Sequence, residues 1–182
     1  MPRIPAHTVE SAPEGSRETA RKLEKKMGKL LNIHAGMAHS PAVIGSYAEI
    51  SAAIAAHGTF DARTREAIAL AVANQNGCSY CQSAHTLSAR RAGLDDEQIL
   101  AIRAGEVDFD DKLAAITTVA REAAARTGNV SDATWKAALD AGWSTEELSE
   151  AFAHLAANLF TNYLNHYAGT ELDLPAVPEP IA

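Results

Sequence analysis

Cys78 and Cys81 are the only cysteines of the chain and stand as a single Cys-x-x-Cys. One pair at that spacing is too little sulfur for a disulfide scaffold and suits thiol redox chemistry or half of a metal site. Glu66 lies upstream and His85 downstream, so the pattern is Glu-x11-Cys-x2-Cys-x3-His. A carboxylate that holds an imidazole, an imidazole that takes a thiol proton and a second thiol that closes a disulfide are the parts of a two-electron thiol reaction.

Geometry decides whether these residues make one site. On one unbroken helix Glu66 and Cys81 would lie about 22 Å apart along the axis. Gly77 interrupts that helix. In a helical hairpin Glu66 falls about 16 Å back from the turn and His85 about 12 Å forward, so the two side chains can nearly meet across packed axes. Cys81 and His85 share a face as i and i+4, and Cys78 sits near a helix start, where free N–H groups favour a thiolate. The expected reaction has Glu66 polarise His85, and His85 take the Cys81 proton directly or through a water. Cys81 then attacks a peroxide O–O bond, and Cys78 condenses with the resulting sulfenic acid. The helix start favours Cys78 as the attacking sulfur and the histidine favours Cys81; a positioned base is the more specific device, so Cys81 is assigned the attack.

The elements that must carry these residues are helices. Alanine is abundant, aromatics are 5% and β-branched residues are scattered, which favours helix over strand. Helical-period runs opened by Ser, Asp or Thr and closed by Gly are expected at Ser16–Gly28, Ser40–Gly58, Asp61–Gly77, Cys78–Gly93, Asp95–Gly105, Asp110–Gly128, Ser131–Gly142 and Ser144–Gly169. This makes an all-α single-domain bundle over residues 16–170, between an extended arm at 1–15 and a Pro-rich arm at 171–182. Such arms wander or lie on a neighbouring subunit. Glu147 and His166 repeat the separation of Glu66 and His85, which raises the idea of a duplicated helical unit; Ser144-x-x-Glu147 also reads as a capping box.

At 182 residues, 47% hydrophobic and with a net charge of -7, the chain can bury a sizeable core and carries no basic surplus for nucleic acid or an anionic membrane. The first residues contain no apolar signal-peptide core and no run is long enough to span a bilayer, so a cytoplasmic protein is expected.

The stretch GCSYCQSAH with Glu66 upstream resembles the alkylhydroperoxidase D group of the carboxymuconolactone decarboxylase-like superfamily. PAVIGSYAEI, ARRAGLDDEQI and FTNYLNHYAGTELDLP are similar to that group's peroxidase-related members, so the resemblance covers about Pro41 to Pro175. It implies an all-helical fold assembling as a homo-oligomer, trimer or hexamer, and a disulfide-cycling peroxidase. The implied reductant is a thioredoxin-like or dihydrolipoamide-bearing partner, with no cofactor and no metal. Residue by residue it implies that Glu66, Cys78, Cys81 and His85 act together, Cys81 as peroxidatic cysteine and Cys78 as resolving cysteine or proton donor. Tyr80 stands where the family's hydroperoxidases have His; with an ordinary pKa near 10 it donates a hydrogen bond more readily than it accepts a proton.

Plainer readings stand beside this one. The cysteines suit simple core packing, or Cys78, Cys81, His85 and Glu66 a zinc tetrahedron. Lone His34 and His39 read as satisfied polar residues. Tyr80 and His166 are accessory candidates, His166 more simply a packing residue. Trp135, Trp143, Phe152 and Phe160 read as core anchors. A redox switch that alters assembly, or a lactone-decarboxylase-like proton transfer through Glu66 and His85, are the rival functions.

Overall fold

Side-chain caps divide the chain into helices. The computed structural model describes residues 1–178, and among these are nine helices: α1 (Glu14–Met27), α2 (Asn32–Met37), α3 (Pro41–His57), α4 (Ala62–Gln75), α5 (Ser79–Arg91), α6 (Asp96–Ala104), α7 (Asp111–Ala125), α8 (Asp132–Asp140) and α9 (Thr145–Ala168). Asp61, Asp95, Asp110, Ser131 and Ser144 each accept a first-turn backbone N–H of α4, α6, α7, α8 and α9. Each such cap is worth about 1 kcal/mol. Eight of the nine helices follow the expected segments. The exception is α2, which has Leu31 as its N-cap and no capping side chain; six residues are too few to display a helical period.

The core is built around α4. Every residue from Ala67 to Ala73 is buried, as in a helix enclosed on all sides, and α5, α6, α7 and α9 pack around it. Its alanines admit close neighbours, while Ile68, Leu70 and Val72 interlock with Ile102, Ile116, Leu148, Leu155 and Trp143. A second apolar cluster, with Leu31, Ile33, Met37 and Ile44, encloses Tyr80 and both cysteines.

Several expectations change. Trp143 is buried, donates from Nε1 to Lys112 O at 2.7 Å and takes the Phe60 ring edge-on. Phe160 packs only in part against the thiol-side cluster. Trp135 is 36% exposed and Phe152 65% exposed, so neither anchors the core. The buried stripe of α9 runs through Leu148, Ala151, Leu155, Asn158, Asn162 and Asn165, and Phe152, Tyr163 and Tyr167 lie off it. The Glu147–His166 echo is no second hairpin. Both residues sit on uninterrupted α9, about 28 Å apart along its axis, and Glu147 completes a capping box with Ser144.

The described parts of both arms pack on their own chain. Backbone N–H groups of Arg3 and Ile4 donate to Ala168 O, and Arg3 Nη1 donates to His166 O and Tyr167 O at 3.0 Å. This cation satisfies the last carbonyls of α9, where the helix end is negative. Val9 and Ala12 are buried. At the other end Asp173 pairs with Lys29 at 3.0 Å, and Arg103 Nη2 donates to Pro178 O at 2.6 Å. Residues 179–182 of the expected C-terminal arm lie outside the described residues. No helix among the described residues is long and apolar enough to cross a membrane.

Candidate active site

The hairpin of α4 and α5 sets the thiols. Gly77 turns the chain at φ +63°, a left-handed conformation that a side chain would strain. Cys78 N–H then donates back to Ala73 O. Cys78 is itself the N-cap of α5, and its sulfur accepts the Cys81 N–H at 3.3 Å. Both cysteines are free thiols, 1% and 3% exposed. Across the hairpin His85 Nδ1 lies 2.8 Å from Glu66 Oε2, with both side chains partly exposed. Thus Glu66 and His85 meet, as do Cys78 and Cys81.

The pair of thiols holds one negative charge. A hydrogen bond from the Cys81 thiol is the chief cause that lowers Cys78 to about pKa 6, outweighing burial. The Cys81 N–H, Asn165 and the positive form of His166 add to it. Cys81 is pushed far up by that same hydrogen bond, by burial and by the Cys78 charge. In the resting dithiol the charge is on Cys78 and the proton on Cys81. Thiolate ultraviolet absorbance is therefore expected to rise as pH rises through about 6, by one thiolate per chain. In Cys78→Ser that step should vanish.

Among the described residues His85 is not in direct hydrogen-bond contact with Cys81 or with Cys78; the bonds at the pair come from the two cysteines themselves and from Asn165. His85 faces Glu66 because its Nδ1 points back across the hairpin to α4. Asn165 was not singled out in the sequence, and its Nδ2 donates to Cys81 Sγ at 3.2 Å and to Cys78 Sγ at 3.7 Å. Asn162 also favours the charged form of Cys81. Both belong to the regular buried stripe of α9, and their spacing from Leu148 and Leu155 was the signal available.

The accessory residues hold the frame. Tyr80 is buried, and its hydroxyl donates to Asp173 Oδ1 at 2.7 Å. Burial and the Asp173 carboxylate push its pKa upward, so it remains a donor. His166 Nε2 donates to Asn76 O at 3.0 Å, bracing the hairpin turn. His39 is satisfied by Pro5 O at 2.7 Å and stacks on His7. His34 departs from the satisfied-polar reading: α2 carries it into the core against Tyr47, where its Nδ1 has no hydrogen-bond partner among the described residues. Burial lowers its pKa to about 4. Tyr47 is raised by burial and by its nearness to Cys81. Among the described residues no three of His, Cys, Asp and Glu gather at metal-binding geometry.

Comparison with known proteins follows the same lines. The chain is similar to the uncharacterized protein 4 in the cox locus of Paracoccus denitrificans, 38% identical over 55 residues; that match covers 30% of this chain and half of the relative's length. In fold it is similar to an alkylhydroperoxidase D-core, uncharacterized peroxidase-related protein from Ralstonia eutropha JMP134. The TM-score is 0.83 at 20% identity, covering 94% of this chain and 92% of that one. A peroxidase-related protein from Silicibacter sp. TM1040 follows at TM-score 0.76 and 15% identity, covering 92% and 91%. A debrominase crystallised as a cysteine-to-alanine variant with 2,3,4-tribromopyrrole has TM-score 0.78 at 18% identity, covering 93% and 91%. At these identities the likeness is one of fold, an all-helical alkylhydroperoxidase D-core bundle. Residues 41–126, which hold Glu66, both cysteines and His85, match the carboxymuconolactone decarboxylase family.

Proposed function

We propose that the protein is a dithiol peroxidase that reduces small hydroperoxides through a Cys78–Cys81 disulfide cycle. The observation that carries this reading is the pair itself: a buried cysteine at a helix N-cap whose sulfur accepts the backbone N–H of the second cysteine at 3.3 Å, an arrangement that together with the neighbouring thiol draws the Cys78 pKa down to about 6. A thiolate is the nucleophilic form of cysteine, and a second sulfur in contact with it can close a disulfide without a large movement.

The cycle balances with the protons as the pair holds them. The Cys78 thiolate takes the Cys81 proton as Cys81 sulfur attacks the distal oxygen of ROOH. The S–O bond forms, the O–O bond breaks, and Cys81 becomes a sulfenic acid. The leaving alkoxide takes the proton from Cys78 and departs as ROH. Cys78, a thiolate again, attacks the Cys81 sulfur and expels hydroxide, which a solvent proton converts to water. Two electrons pass from the thiols to the peroxide, and a dithiol reductant of the thioredoxin or dihydrolipoamide class returns them. In this scheme His85 and Glu66 orient one another at the partly open end of the hairpin and relay protons between the pair and solvent. The exposed Phe152, Tyr163 and Tyr167 of α9 provide an aromatic surface for self-association into a trimer or hexamer.

Steady-state consumption of hydrogen peroxide and of tert-butyl hydroperoxide, with dithiothreitol as regenerating dithiol, is the test. Continued turnover is expected. A stoichiometric burst that stops would mark a redox switch, and a lactone decarboxylation that survives Cys81→Ser would mark a proton-transfer enzyme.

A further inference from the structure

The face of α9 toward the thiols is polar. Asn158, Asn162 and Asn165 continue the spacing of Leu148, Ala151 and Leu155, and all six are buried. A buried carboxamide costs free energy unless both of its ends find partners, and two ends here lack one at normal geometry. The Asn165 amide donates to the sulfurs. A thiolate only accepts, so this contact fixes the amide's orientation. The opposite atom, Asn165 Oδ1, is buried with no hydrogen-bond partner among the described residues. Asn162 Oδ1 accepts from Asn76 Nδ2 at 2.9 Å, and Asn162 Nδ2 is buried without a hydrogen bond of normal geometry, facing the Cys81 sulfur closely enough to favour its charged form. The two residues are 0% and 6% exposed, so bulk water does not serve these atoms.

An unpaired acceptor and a donor without a well-formed bond, one helical turn apart beside an ionisable thiol pair, call for a complementary molecule. It must carry an O–H to donate and a second oxygen on which negative charge develops. The width of a carboxamide, about 2.2 Å, keeps Asn165 Oδ1 within about 5.5 Å of the Cys81 sulfur. That span suits a hydroperoxide whose distal oxygen stands about 3 to 3.5 Å from the sulfur in an attack geometry.

We propose that Asn162 and Asn165 form the hydroperoxide-binding cradle of this site. Asn165 Oδ1 accepts the O–H of the distal oxygen, which aims that oxygen at Cys81. Asn162 Nδ2 donates to the proximal oxygen and stabilises its charge as the O–O bond breaks and the S–O bond forms. Asn162 keeps its protons; the proton that completes ROH comes from Cys78, as in the cycle above. The inference rests on the peroxidase reading and adds the residues that recognise the substrate.

The test compares two reagents on the same thiols above the thiolate pKa: tert-butyl hydroperoxide, which needs the cradle, and iodoacetamide, which does not. In Asn162→Leu the second-order rate of oxidation should fall by about 10²-fold, with alkylation within about twofold of wild type. Asn76→Ala removes the bond to Asn162 Oδ1 and keeps Asn162 Nδ2, so its oxidation rate should stay near wild type. Oxidation and alkylation falling together in Asn162→Leu, or neither falling, overturns the cradle. A wild-type protein that is alkylated and ignores peroxide removes the peroxidase reading and the cradle with it, whereas a reactive wild type matched by Asn162→Leu removes the cradle alone.

Discussion

Replacing Cys81 by serine should abolish turnover of hydroperoxide, lowering the steady-state rate by at least about 10³-fold, the scale seen when an attacking nucleophile is removed. Cys78→Ser should give a different failure. Cys81 keeps its sulfur and loses both its proton acceptor and its resolving partner, so one slow oxidation leaves a sulfenic acid trapped at Cys81. The pH dependence separates the two roles further. In wild type the oxidation rate should rise with pH through about 6 and then level, following formation of the Cys78 thiolate. In Cys78→Ser the rise should move to higher pH, because Cys81 is left with burial and without the neighbouring thiolate to take its proton. Mass spectrometry of the peptide holding both positions, after dimedone trapping, reads the outcome. Sulfenate found at Cys78 in the Cys81→Ser variant would reverse the assignment and make the N-capping thiolate the attacking sulfur.

The hairpin was legible in the sequence because its cues are local. Gly77 ends one helical period, Asp61 opens it, and a Glu and a His at matched distances from the turn can meet only if the chain folds back. The structure places Glu66 and His85 2.8 Å apart across that turn. What lay beyond local cues was the third wall of the site. α9 buries Asn158, Asn162 and Asn165 and exposes Phe152, Tyr163 and Tyr167, the reverse of the usual rule that aromatics face inward. The heptad-like spacing of the stripe was readable; its tolerance of asparagine was not, because the thiols and Asn76 that contact those amides are 84 to 87 residues away in sequence. The same holds for the arms. Nothing local in Arg3 or Asp173 announces the helix end and the tyrosine hydroxyl that they meet.

His34 should make the fold acid-sensitive. α2 drives its imidazole into the core, and burial, the largest cause, together with Lys26 outweighs the attraction of Asp173 and lowers its pKa from 6.5 to about 4. The unfolded chain takes up that proton near 6.5. Between the two values the unfolded state therefore binds more protons, so stability is full above about pH 6.5 and falls as pH drops toward 4, by about 3 kcal/mol in all. Carboxylates titrate in part of the same window, so the difference between wild type and His34→Leu isolates the histidine. The Nδ1 that leucine removes has no hydrogen-bond partner among the described residues, so the substitution severs no bond at that atom and should cost little at pH 7 beyond the contact with Tyr47. At pH 4.5 the variant should be the more stable protein by roughly 2 kcal/mol. Urea midpoints at the two pH values measure this directly: a crossing of the two proteins' stabilities is expected, and parallel stability curves would show that His34 stays neutral in both states or charges freely in the fold.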